Sequence, residues 1–111
     1  MNNVILIGNL TKDPEVRYTT ANEPTCVARF SLAINSGYGD KQRTDYPNIV
    51  VFGKQAENCE RFLSKGSKVC VQGKLQTGSY EKDGHKVYTT DVAAERVEFL
   101  STQKKDEWQM P

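Results

Sequence analysis

In the segment TDYPNIVVFGK, residues 44–54, a period of two places Thr44, Tyr46, Asn48, Val50 and Phe52 on one strand face and Ile49 and Val51 on the other. The aliphatic pair can fill a core. The opposite face then carries two rings and an amide, with Lys54 close behind. The segment VCVQGKLQTGSY repeats the arrangement: Val69, Val71 and Leu75 point one way, and Gln72, Lys74, Gln76 and Tyr80 the other. A loop, SGYGDKQRT, sets Lys41 and Arg43 near Tyr38. Flat rings among cationic and amide side chains can stack unpaired bases while the cations neutralise phosphates. Taken alone, the rings are open to a second reading, because exposed Tyr and Phe also support cross-strand packing. Phe30 and Phe62 read as core, whereas Tyr18 and Tyr88 suit either setting.

Other chemistries find little support. His85 is the one histidine and follows the turn residue Gly84. The chain shows no Ser/His/Asp set, no phosphate-binding glycine loop and no metal-ligand spacing. Asp13, Glu15, Asp40 and Asp45 fall in loops without a histidine beside them. We therefore expect no catalysis, no metal and no cofactor.

At 111 residues the chain suits one domain with a single core. A hydrophobic content of 37% and a charged content of 26% fit a globular protein rather than a disordered one. No apolar run approaches the roughly 20 residues that span a bilayer, and the start, MNNVILIGNL, lacks a basic leader. The expectation is a cytoplasmic protein without a membrane partner. Cys26, Cys59 and Cys70 are odd in number and lie in apolar patterns, which points to buried free thiols. With 15 basic and 14 acidic residues the net charge is only +1, so any attraction for a polyanion must come from local clustering.

The elements that must position these side chains are five strands and a helix. Residues 1–10 read as a buried strand, and Pro14 marks a bend or bulge before VRYTT. Across residues 25–35 Cys26, Ala28, Phe30, Leu32 and Ile34 point inward against Arg29, Ser31 and Asn35. The Tyr46 strand follows, then a helix over residues 54–64, with Ala56, Cys59 and Leu63 on one face and Gly66 as its stop. A hairpin of residues 68–80 and 86–99 turns at Asp83-Gly84. Three strands, a helix and two strands is the order of the five-stranded oligonucleotide-binding barrel, an all-β fold with its helix between strands 3 and 4.

The strings VILIGNLTKDPEVRYT, VARFSLAIN, TDYPNIVVFGKQAEN, FLSKGSKVCVQGKLQT and YTTDVAAERVEFL closely resemble the bacterial single-stranded DNA-binding proteins, in order, from about Asn3 to Leu100. The resemblance implies a barrel, residues 1–100, that coats single-stranded DNA with little sequence preference in replication, recombination or repair. It also implies a homotetramer in which the segment around Asn3 to Ile7 pairs across a dimer interface. The family's stacking aromatics match Tyr38, Tyr46, Phe52 and Tyr80, and its basic positions match Lys41, Lys54 and Lys65. Arg43 and Lys74, from loop position and strand face, and Asn48, from its place between the rings, complete the expected DNA-binding set.

The chain departs from its family in three places. Three stacking positions that often carry Trp are Tyr here. Gly78-Ser79 and Asn3 stand where relatives often have basic residues, which lowers the expected affinity. Residues 101–111 form a short tail expected to be flexible, and Asp106-Glu107-Trp108 does not match the acidic tip through which relatives recruit replication and repair proteins. The chain reads as a short, tailless member of bacterial, phage or mobile-element origin. The rival expectation is an accessory barrel for protein contacts in replication restart or recombination, with weak DNA binding. RNA is a third possibility, since stacking does not distinguish the sugars.

Overall fold

The alternation of CVARFSLAIN organises the sheet. Cys26, Ala28, Phe30 and Leu32 are buried, while Arg29 lies exposed on the other side. The computed structural model describes residues 1–20 and 22–102. Along them run β1 (Val4–Leu10), β2 (Glu15–Tyr18), β3 (Cys26–Ser36), a 3-10 turn (Gly39–Lys41), β4 (Arg43–Asp45), β5 (Asn48–Phe52), α1 (Lys54–Phe62), β6 (Lys68–Lys82) and β7 (His85–Ser101). The sheet order is β1-β6-β7-β5-β3-β2, β4 pairs with β3, and a further β1–β3 pairing makes the strands a ring. All pairings are antiparallel except β5 with β7. This is the expected barrel with its helix before the final hairpin.

Two prolines turn five expected strands into seven segments. Pro14 precedes β2, which pairs in register with β3 from Glu15↔Arg29 to Tyr18↔Cys26. Pro47 has no N–H to give a ladder, so the third strand breaks into β4 and β5, and its carbonyl accepts from Leu32 N at 3.1 Å.

The core joins Leu10, Cys26, Ala28, Phe30, Leu32, Ile49, Val51, Val69, Val71 and Val92 to Ala56, Cys59 and Leu63 of the helix side. Burial first, and the neighbouring Cys26 second, push the Cys59 thiol up to about 12, so it stays protonated through the physiological range. Because the folded thiol keeps its proton while an unfolded one loses it from its ordinary 9.0 upward, this group's contribution to stability falls between pH 9 and about 12. The final hairpin turns as expected, with Asp83 at φ 52° and Gly84 at φ 79°.

Several expectations need correction. The first strand is only partly buried: Gly8 and Leu10 are inside, but Ile5 and Ile7 are exposed. Leu75 shares the inward parity of Val69 and Val71 and faces the buried Val92, yet is 46% exposed, because the β1 ladder reaches only to Gly73 and leaves Leu75 at the strand edge, where the Asn2 side chain meets its backbone. The helix ends at Phe62 with an extended Leu63 as its cap, so Gly66 belongs to the turn into β6 instead. Phe62 is half-buried and packs on Phe99 with ring centroids 6.2 Å apart, and Cys70 is half-buried as well. Residues 103–111, including Trp108, lie outside the described residues, as does the tail expected there.

The β6–β7 ladder slips twice, between Lys68 and Val69 and between Gln72 and Gly73. Gln72 faces Arg96 and Gly73 faces Ala94, so Glu95 is the extra residue of a bulge. Helix residue Gln55 ties the bulge down: its Nε2 donates to Glu95 O at 2.9 Å and its Oε1 accepts from Val97 N at 3.0 Å. A Cβ on Gly73 would meet Ala93 O at 2.1 Å, which is backbone and cannot swing away. Gly73→Ala should therefore cost about 1–3 kcal/mol, read as a lower urea midpoint with an unchanged m-value.

Candidate nucleic-acid interface

Cross-strand register assembles one outer face from five strands. Neighbours in register share a face, so Lys74, Ala93, Val50, Arg29 and Glu15 form one row across β6, β7, β5, β3 and β2. The next row is Gln76, Asp91, Asn48 and Ser31. A third holds Phe52, Val27 and Arg17. All lie opposite the core face. This face is a support with an aromatic side chain at one end and polar groups along its middle.

All ten residues nominated from the sequence are exposed: Tyr38, Lys41, Arg43, Tyr46, Asn48, Phe52, Lys54, Lys65, Lys74 and Tyr80. The four rings among them are each more than half open to solvent. Phe52, Asn48 and Lys74 belong to the rows above. Tyr46 follows β4 directly, one residue before Pro47 and two before Asn48, which extends the line of Phe52 and Asn48 along the chain. Beyond it, β4 pairs with the far end of β3 and carries Arg43, and the 3-10 turn beside it carries Lys41. Lys41 N donates to Tyr38 O at 3.1 Å, which closes the turn and keeps ring and cation together. Tyr80 shares the hairpin face of Lys74 and Gln76, four residues past Gln76, or about 13 Å along the strand.

Two nominated cations stand apart from these rows. Lys65 precedes β6, and its backbone N donates to Asp13 Oδ1 at 2.8 Å, which tethers it to the loop before β2. That loop borders a polar groove whose walls include Lys12, Asp13, Glu15, Arg29, Ser31 and Asn48. Lys54, at the helix start, lines a different depression with Tyr18, Glu57 and Glu60. There a hydrogen bond with the Cys26 thiol, and then the Glu60 and Glu57 charges, hold the Tyr18 phenol above its ordinary 10.0. Tyr18 and Tyr88 both prove exposed; Tyr88 lies on the hairpin face opposite Tyr80, with Lys86 Nζ 5.8 Å from its ring centroid.

Hydrogen bonds and ion pairs set the outer face in order. Ser31 Oγ donates to Asn48 Oδ1 at 2.8 Å, which leaves the Asn48 NH2 as a donor. Thr44 Oγ1 donates to Asn35 Oδ1 at 2.6 Å and ties β4 to β3. Arg43 pairs with Asp45 at 2.9 Å, so its charge is partly engaged. Arg29 pairs with Asp91 at 3.3 Å. These two residues sit on strands that flank β5, two strand spacings or about 9.6 Å apart. The Arg29 side chain must therefore cross β5, where it covers Val50. That explains why Val50, expected on the open face, is only 7% exposed.

The sequence-derived set lacked Arg29 and Arg17. The alternation of CVARFSLAIN did put Arg29 outside, but only the register shows it beside Asn48 and Phe52. Arg17 lies on a short strand after a proline, where alternation was too brief to read. Among the described residues no group of His, Cys, Asp or Glu is placed to hold a metal ion, and no helix is long and apolar enough to cross a membrane.

A model of the family described as "Single-strand binding protein family" matches residues 1–100. The chain is 49% identical over 104 residues to the "Single-stranded DNA-binding protein" of Bacillus cereus, covering 90% of this chain and 60% of that one. It is 45% identical over 111 residues to "Single-stranded DNA-binding protein 1" of Staphylococcus aureus, covering 96% and 70%. A solved structure, "Plasmodium falciparum SSB complex with ssDNA", superimposes with a TM-score of 0.82 at 29% identity, covering 91% of this chain and 96% of that one. This chain thus spans about 60% of the length of the Bacillus relative.

Proposed function

The chain belongs to the single-strand binding protein family, and on that premise we propose that its outer face binds single-stranded DNA without sequence preference. The observation that carries the reading is one solvent-facing surface where Phe52, Asn48, Arg29 and Lys74 share adjoining rows and Tyr46 continues the line. The similarity to proteins named for this activity supports it.

Unpaired bases stack on Phe52, Tyr46, Tyr80 and Tyr38. Stacking is indifferent to base identity because every base has a π-face. The Asn48 NH2 donates to base or backbone acceptors. Lys41, Lys54, Lys65 and Lys74 neutralise phosphates, and Arg43 adds to them when it leaves Asp45. Binding proceeds without chemistry or cofactor. The partial engagement of Arg43 and Arg29 by carboxylates favours the accessory-module reading as runner-up, and binding measurements separate the two.

The same reading includes a homotetramer. Among the described residues only one edge of β1 is paired along Val4–Gly8, to β6; the β1–β3 pairing is confined to Asn9 and Leu10. An open edge with Ile5 and Ile7 exposed is suited to a second copy, since an isolated edge strand invites pairing. Ile5→Asp with Ile7→Asp should yield a smaller species than the parent chain by light scattering. An unchanged mass would remove this edge from the assembly.

The DNA reading is tested by fluorescence anisotropy with labelled oligo-dT, oligo-U and duplex DNA. We expect tight, salt-sensitive binding to oligo-dT; equal binding to oligo-U would indicate a general single-strand role, and binding to none would favour protein contacts. Tyr46→Ala and Phe52→Ala should each lose about 1–3 kcal/mol of binding while keeping the parent unfolding midpoint within the small change usual for surface sites. A mutant that unfolds without a binding-specific loss would return its ring to a packing role. Lys41→Ala with Lys54→Ala should lower the slope of log K against log salt by roughly 1.4, about 0.7 per phosphate contact on a single strand. An unchanged slope would exclude both lysines from the contacts.

A further inference from the structure

Arg29 and Asp91 are the charged pair at the centre of the outer face. Arg29 lies between the Phe52 row and the Asn48 row, and Asp91 is in register with both Asn48 and Gln76. The two partners are unequal in exposure: the Arg29 side chain is 56% exposed and that of Asp91 20%. A phosphate approaching from solvent can therefore meet the guanidinium while the carboxylate stays against the sheet. Of the other charges in these rows, Glu15 stands opposite Arg29 on β2, Arg17 ends the Phe52 row on the same strand, and Lys74 ends the Arg29 row on β6. The ion pair that Arg29 makes is with Asp91. Exposed pairs hold weakly, so a DNA phosphate, which offers bidentate geometry to a guanidinium, can exchange for the carboxylate.

We propose that Asp91 is an intramolecular competitor of the DNA backbone: strand binding transfers Arg29 from the Asp91 carboxylate to a phosphate, so Asp91 sets the affinity below what the cations of this face would otherwise reach. The proposal rests on the DNA-binding reading above. It has a distinctive consequence for salt dependence. Neutralising a phosphate releases a DNA counterion, whereas added salt also loosens the Arg29–Asp91 pair that must open first. Arg29 therefore contributes less to the salt slope of the parent chain than the about 0.7 it reaches once Asp91 is neutral.

The experiment compares the parent chain, Asp91→Asn, Arg29→Gln, the double variant and Glu81→Gln, each by anisotropy with labelled oligo-dT across a salt series, with thermal melts as a check of folding. Glu81 lies on the same hairpin, with no ion pair among the described residues, and controls for loss of one negative charge. Asp91→Asn should bind tighter at low salt, by up to about fivefold, the upper end expected for releasing a surface ion pair. Its salt slope should be steeper by up to about 0.7, and both effects should vanish in the double variant. Weaker binding would make Asp91 a positioning residue for Arg29 and overturn the proposal. An effect equal to that of Glu81→Gln, or one that persists without Arg29, would also overturn it. Should Asp91→Asn fail to fold, Arg29→Gln alone decides: weaker binding with a slope reduced by less than about 0.7 supports the exchange, weaker binding with the full fall of about 0.7 marks a plain phosphate contact, and unchanged affinity removes Arg29 from the interface and overturns the proposal. A parent chain that does not bind oligo-dT would instead refute the underlying DNA reading.

Discussion

Closure of the sheet through Leu10 is the constraint on which the rest depends. Leu10 faces Leu32 across the β1–β3 pairing, its N donates to Ser67 O at 2.8 Å, and its carbonyl accepts from Gly66 N at 2.9 Å. The start of β1 is thereby joined to β6, and its end to β3 and the turn that leads into β6. The ring gives every strand an inside and an outside. Once Leu10, Leu32, Val69 and their neighbours are buried, period-two alternation leaves the other face to solvent, with its spacing set by backbone hydrogen bonds. The helix completes the enclosure with Ala56, Cys59 and Leu63, and Gln55 secures the β6–β7 bulge at Glu95.

The outer face obtained in this way is less positive than the fold might suggest. Net charge is near zero, and two of the arginines nearest the rings are engaged by carboxylates, Arg43 by Asp45 and Arg29 by Asp91 across β5. On the proposed DNA-binding reading, ring surface and amide donors therefore carry a larger share of recognition than Coulomb attraction does. Exposed rings on a rigid sheet suit that role, because a Tyr or Phe held by a strand loses little rotamer freedom when a base stacks on it. The loop rings differ in this respect: Tyr38 depends on a turn closed by one backbone hydrogen bond, whereas Phe52 stands on a strand paired on both sides.

Much of this was legible in the residues. CVARFSLAIN announced its strand and its two faces, Asp83-Gly84 its turn, and Ala56, Cys59 and Leu63 the buried stripe of the helix. Each of these is a local pattern, decided within a few residues by backbone preference and by which side chains avoid water. The errors have a common origin. Ile5 and Ile7 were expected inside because they are apolar, and Leu75 because it follows Val69 and Val71 in parity. Apolarity and parity state a preference, but whether a core lies on that side depends on where the other strands end. Val50 failed in the opposite sense, because a polar side chain from β3 covers it.

By itself, then, the sequence determined the element types, the faces of each strand and the set of rings and cations turned away from the core. It also carried the family, through motifs spread across residues 1–100. Only the tertiary structure decided register, and register decides neighbours. It set Phe52 across from Val27 and Arg17, put Asn48 between Ser31 and Asp91, and brought Arg29 over Val50 to a carboxylate 62 residues further along the chain. Such pairings follow from closing a twisted sheet on itself, a sum over all strands at once that no window of sequence contains.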